Sequence, residues 1–256
     1  MPGWWGRWRD ARTLRRRPIP DALWQLTLAR FPFLHQGNAA DATRLREMST
    51  LFLAQKEFSG AHGLAVDDAM AVAIAAQACL PILRLGLDWY QGFVGIVVHA
   101  DAVLAERETT DEDGVVHRYR EELTGEAMQG GPVMLSWRDV ADAGSSADWG
   151  YNVVIHEFAH VLDMRDGVAD GVPALADRAA RERWLAIIES EYEGFCARVD
   201  AGEETLLDPY GAEAIAEFFA VAAEVFFVAP LDMQAEHPRL HGLLSGFFDQ
   251  DPGRNK

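Results

Sequence analysis

His156, Glu157 and His160, set as His-Glu-Phe-Ala-His, are the residues of this chain best suited to do chemistry. On a helix, side chains four apart share a face, so both imidazoles can reach one ion. Glu157 projects beside that ion rather than onto it, where its carboxylate can take a proton from an activated water. Zinc is the usual ion for this spacing, because it accepts two imidazoles and one carboxylate and keeps a position open for water. Five residues in this pattern also occur by chance, and the flanks sharpen the reading. Val154, Ile155, Phe158, Ala159, Val161 and Leu162 are all uncharged. Two imidazoles and a carboxylate inside an apolar helix are costly without a partner.

Such a centre needs a third protein ligand, and three positions compete. Asp166 lies ten residues after His156, where a metzincin places its third ligand. A metzincin also needs glycine seven residues after the first histidine, and Asp163 stands there. Asp163 shares a face with His160 and suits a different task, orienting a ligand imidazole from behind. The third position is a downstream helix, Ala212–Val228, apolar except for Glu213, Glu217 and Glu224 on one stripe. Carboxylates on a largely buried helix require a cation or a donor. A glutamate from a second helix is how gluzincins complete their site. Spacing leaves open which of the three would bind.

The elements that must position these residues are legible in outline. The spacing predicts a helix over Tyr151–Met164, with Asp148 able to cap it. Pro132–Trp137, Phe93–His99 and Val115–Arg120 read as strands. Pro132–Trp137 lies just ahead of the active helix. It is either an edge strand that pairs with an extended substrate or an inner strand of the sheet. Glu106–Asp113 reads as a solvated loop and Asp142–Asp148 as a turn. Upstream, Asp21–Ala29 is a short helix broken by Phe31-Pro32. Ala40–Glu57 carries Leu45, Met48, Leu51 and Phe52 at helical spacing. Asp67-Asp68 heads an alanine-rich helix running to about Leu80, with acids placed for its N-terminal dipole.

Composition sets the outer limits. The chain has 256 residues and 23 Lys+Arg against 40 Asp+Glu, a formal charge of −17. So acidic a surface argues against direct nucleic-acid binding. The charge is uneven: residues 1–20 hold six arginines against Asp10, a net +5, which leaves −22 for the rest. That basic, tryptophan-bearing segment reads as a flexible or extended arm, with a membrane-surface or partner contact as the other reading. Residues 21–256 read as a single domain, helical over about 21–90 with a catalytic core over about 91–230. Cys79 and Cys196 read as two buried thiols. Ala69–Leu83 is too short to span a bilayer, and no signal-peptide pattern is present. A cytoplasmic location is expected. His99, His117, His237 and His241 read as structural histidines.

The blocks HEFAHVLDMRDG (156–167) and AEFFAV (216–221) resemble the Mlc titration factor A family of bacterial zinc metallopeptidases. LGLDWY (85–90), GPVMLSW (131–137) and Asp251-Pro252 are similar to that family too. The resemblance implies one zinc per chain, held by His156, His160 and Glu217, with Glu157 as catalytic base. It also points to Tyr210, seven residues before Glu217. The same interval occurs in lethal-factor-type toxin proteases, where the tyrosine hydroxyl faces the site and can steady an oxyanion. One departure is visible: the family often has Asp-Pro where this chain has Ala214-Ile215. The expected fold is α+β and zincin-like, of the gluzincin kind, with a small mixed sheet packed on the active helix. The expected activity is peptide hydrolysis, aminopeptidase-like and linked to glucose uptake through binding the Mlc repressor. The alternative is a regulatory module that sequesters a transcriptional repressor, with peptidase activity secondary.

Overall fold

The computed structural model describes residues 4–35, 37–110, 116–143 and 150–255. Three helices come first: α1 (Trp4–Arg16), α2 (Asp21–Arg30) and α3 (Ala39–Gln55). The segment expected to be a flexible arm is therefore helical over Trp4–Arg16. Its sequence has no apolar stripe of its own, but it lies against α3, and Asp10, Thr13 and Leu14 are half-buried there. Phe31 and Pro32 end α2 as expected. Asn38 opens α3 with a reciprocal cap: its side chain accepts from the Asp41 N–H, and the Asp41 carboxylate accepts from the Asn38 N–H. These bonds satisfy donors that a first turn leaves free.

The helix expected to reach Glu57 stops at Gln55, and Glu57–Gly60 is a strand, β1. Lys56 causes the change. It turns extended and sends its ammonium to the carbonyls of Tyr90 and Phe93, while the Glu57 N–H donates to Val94. Asp67 then caps α4 (Asp68–Cys79), accepting from the Met70 N–H at 2.8 Å. Ala73, Ala75, Ala76 and Ala78 are fully buried in α4, and their small size lets it pack closely on α3 and α6.

The main sheet is mixed. Its order is β1, β2 (Gly95–His99), β6 (Val133–Ser136) and β5 (Gly125–Ala127). β1, β2 and β6 run parallel, and β5 pairs antiparallel with β6, Gly125 opposite Leu135. The strand within Pro132–Trp137 is thus an inner one, and the sheet edge beside it is β5. A second, separate pair joins β3 (Val103–Thr110) to β4 (Val116–Leu123). Residues 106–110, expected in a loop, belong to β3. The register sets Glu106 opposite Arg120 and Glu108 opposite Arg118. The remainder of that expected loop lies outside the described residues.

After α5 (Trp137–Asp142) the chain reaches α6 (Val153–Asp163). Asp148 and most of the turn expected at 142–148 fall outside the described residues. The cap of α6 is Asn152, which accepts from the Ile155 N–H at 2.9 Å. The helices α7 (Arg178–Asp200), α8 (Ile215–Val228), α9 (Pro230–Glu236) and α10 (Pro238–Phe248) complete the order. α8 is apolar but for Glu217 and Glu224 and is buried from Phe218 to Val228, the mark of a core helix. It lies against α6. Phe158 on the inner face of α6 anchors the other side, 4.9 Å from the Tyr90 ring and 5.8 Å from that of Phe52. Cys79 is buried and Cys196 half-buried, and neither forms a disulfide. No helix among the described residues is long and apolar enough to cross a membrane.

Candidate metal centre

α6 and α8 bring three side chains to one point. His156 Nε2 lies 3.1 Å from Glu217 Oε2 and 3.2 Å from His160 Nε2. His160 Nε2 lies 3.2 Å from the same Glu217 oxygen. Among the described residues, this is the group of His, Cys, Asp and Glu side chains close enough to hold a metal ion. Three donor atoms so close repel one another unless a positive charge lies among them. A proton can play that part: burial alone would lower the His156 pKa, but its bonds to Glu217 and Glu224 outweigh burial and raise it. A metal ion fits the same donors better. Bonds of about 2.0–2.1 Å in tetrahedral array put ligand atoms roughly 3.3 Å apart, close to the separations found.

Behind His156 stands a carboxylate that the sequence placed on the α8 stripe without a task. Glu224 Oε1 is 2.8 Å from His156 Nδ1. Its other oxygen accepts the Asn152 N–H. The Asn152 amide donates to Gln77 Oε1 at 2.8 Å, and the Gln77 amide donates to the Ala73 carbonyl. This chain links α8, α6 and α4 through buried groups, each paired as burial requires. It holds the ring so that Nε2 faces His160 and Glu217. Glu224 is 3% exposed, and burial raises its pKa despite the facing imidazole.

The imidazole-orienting role expected of Asp163 thus falls to Glu224. Asp163 Oδ2 instead accepts the Gly171 N–H at 2.8 Å, and Oδ1 has no hydrogen-bond partner among the described residues. Trp184 Nε1 donates to the Gly171 carbonyl at 2.9 Å. A Cβ on Gly171 would meet the Ile215 carbonyl oxygen at 2.6 Å, and its φ is +72°. Glycine is therefore required where the loop after α6 presses on the first turn of α8. Asp163 ties the loop after α6 to the start of α8 rather than orienting a ring. Asp166 stays outside the cluster: it caps the Val168 N–H and pairs with Arg181 at 3.9 Å. Glu213 is exposed and also outside. His237 and His241 are buried elsewhere, against Glu191 and Phe226.

Glu157 points the other way from Phe158, into a cavity of about 250 Å³ lined by Gly125, His156, Asp208, Tyr210 and Glu224 among others. It is 5% exposed. Burial pushes its carboxyl up to about 7, against the pull of the two neighbouring imidazoles. The edge strand β5 lies directly on it. A Cβ on Gly125 would fall 2.6 Å from Glu157 Cγ and 2.7 Å from Cδ. Nothing in the sequence marks Gly125, because a three-residue strand leaves no periodic signal. Tyr210 lies on the short turn Pro209–Ala212, ahead of α8, its N–H accepted by Asp208. Its ring is 6.1 Å from that of His156, and the residue is 41% exposed toward the same cavity.

Comparison with known proteins places the chain among relatives of known family. The chain is 36% identical over 250 residues to an uncharacterized protein of Synechocystis, covering 97% of this chain and 90% of that one. It is 34% identical over 248 residues to Mlc titration factor A of Cronobacter sakazakii, covering 96% and 91%. To Mlc titration factor A of Salmonella arizonae it is 35% identical over 237 residues, covering 91% and 93%. Residues 5–249 match the family described as glucose-regulated metallo-peptidase M90. A metal ion is implied by that membership, and a His-His-Glu group able to take one is in place. On these grounds the chain belongs to the M90 family of metallo-peptidases.

Proposed function

We propose that this protein is a zinc-dependent peptidase of the gluzincin kind, acting in the cytoplasm, with zinc held by His156, His160 and Glu217. The observation that carries the reading is the convergence of those three donors beside a buried carboxylate, Glu157. Zinc, when bound, supplies a Lewis acid that acidifies the attacking water and polarises the scissile carbonyl.

The protein's own groups do the rest. Glu157 takes one proton from the attacking water and returns it to the leaving amine nitrogen. Its buried position excludes competing solvent and favours the protonated form midway through the reaction. Tyr210 donates its hydroxyl to the carbonyl oxygen as negative charge develops there. The outer edge of β5, next to Glu157, takes the place expected of the strand within Pro132–Trp137. An extended substrate pairs with it by main-chain hydrogen bonds. At about 250 Å³ the cavity lies at the small end of ligand sites. It suits a terminal residue, and Asp208 on its wall suits a free ammonium, in keeping with aminopeptidase action. Glu157→Gln keeps the metal and abolishes hydrolysis. Metal analysis alongside a peptide-cleavage assay tests this, and cleavage at the wild-type rate would refute the base.

A second reading comes from the relatives called Mlc titration factor A. In it, the acidic body docks a basic repressor of the Mlc type, by charge complementarity. A pull-down with Glu157→Gln and with chelated protein separates the two. A binder that does not use the peptidase site is indifferent to both treatments.

A further inference from the structure

The helix α1 has a face that nothing in the peptidase reading uses. Trp8, Arg12, Arg15 and Arg16 stand at i, i+4, i+7 and i+8, which places them on one side of the helix. All four are exposed, Trp8 to 49%. The Arg12 guanidinium lies over the Trp8 ring, 5.5 Å from its centroid. Among the described residues, none of these three arginines forms an ion pair. Asp10, Thr13 and Leu14, on the opposite side, are half-buried against the body. The helix is therefore moored by one face and presents cations and an indole on the other.

We propose that this face docks the protein onto anionic phospholipid bilayers. Tryptophan settles at headgroup depth, with its apolar ring inward and its N–H in the wet layer. Arginine matches phosphate with a bidentate fork while its methylenes lie along the apolar boundary. A helix bearing both on one face lies along the plane of the surface. The rest of the chain, at −22, is repelled by the same lipids, so contact is confined to α1 and the body is held away in one orientation. Area argues against a protein partner on this face. Thirteen residues make a ridge about 20 Å long and about 10 Å wide, roughly 200 Å², well short of the roughly 800 Å² per side of a stable protein interface. A bilayer needs no matching shape.

The experiment is co-sedimentation of the full chain with vesicles of phosphatidylcholine alone and of phosphatidylcholine mixed with phosphatidylglycerol. Binding to the mixed vesicles, weakened by salt and absent from pure phosphatidylcholine, is expected. Each arginine near such a surface is worth about fivefold in partitioning, so Arg12→Gln/Arg15→Gln/Arg16→Gln loses roughly a hundredfold. Trp8→Ala weakens binding while leaving its salt dependence. Both variants keep wild-type helicity and peptide hydrolysis, which separates this result from failure of the peptidase reading. Equal binding to both vesicles, no binding, or a triple variant that binds as the wild type does would overturn the proposal. So would capture by soluble polyglutamate without capture by vesicles.

Discussion

Gly125→Ala isolates the contact between the edge strand and the buried carboxylate. The backbone there tolerates alanine, since Gly125 does not adopt a positive φ. The added Cβ would stand 2.6 Å from Glu157 Cγ, where ordinary contact begins near 3.4 Å. One of the two must move by about 0.8 Å. β5 is tied to β6 by its ladder, so the Glu157 side chain yields. A misplacement of that order costs a positioned catalytic group about 30- to 100-fold in rate. Overpacking adds about 1–3 kcal/mol of destabilisation, or a few degrees in Tm for a chain of this size. Metal content stays at the wild-type level, because the three atoms nearest the added Cβ all belong to Glu157 and none to His156, His160 or Glu217. The assay is kcat on a peptide substrate, alongside metal analysis and thermal melting. Gly194→Ala is the control, a helical site where a Cβ meets nothing within 4 Å. A Gly125→Ala enzyme with full metal and a kcat within about twofold of wild type would show that β5 does not position Glu157.

Three further outcomes follow from contacts already described. Glu224→Gln cannot serve both the His156 ring and the Asn152 N–H, because one carboxylate acceptor becomes a donor. Metal affinity, read by chelator competition, drops about 10- to 100-fold. Lys56 is held down at about 8, first by burial and against a smaller upward pull from Cys79. The folded protein therefore binds fewer protons than the unfolded chain between about pH 8 and 10.5, and the Lys56 contribution to stability rises with pH across that window. The stability of wild type relative to Lys56→Met, from denaturant melts, increases from pH 8 to 10 by up to about 3 kcal/mol. Ala214 precedes α8 in extended conformation and offers no side-chain cap. Ala214→Ser supplies one and stabilises by about 0.5–2 kcal/mol, seen as a rise in Tm with unchanged metal content.

The helix bearing His156, Glu157 and His160 could be read from sequence because its chemistry repeats at the helical period on an apolar background. The three glutamates of α8 were legible as a stripe, but not their division of labour. Which carboxylate faces the imidazole edge and which the metal side depends on the crossing of two helices, a tertiary fact. β1 and β5 escaped notice because strands of four and three residues are too short to show alternation. Their pairing is set by neighbours far along the chain. Asn152 lost to Asp148 as the expected cap because both are good capping types, and only the path of the preceding turn chooses between them. The arm over residues 1–20 looked unstructured on composition, which cannot report that α3 offers it a surface. The tie at Gly171 rests on a hydrogen bond between residues eight apart, inside a loop with no pattern at all.

The placement of the proposed ligands on α6 and α8 has a topological consequence. Glu217 follows His160 by 57 residues, a stretch that includes all of α7. An ion that joins the two acts on the unfolded chain as a reversible crosslink closing a loop of that length. A covalent link of equal span would remove chain entropy worth about 4 kcal/mol. A metal bond can be undone by a chelator, so the same crosslink can be withdrawn without touching the sequence. A cation bound there would then also be a detachable constraint on the chain between the two helices.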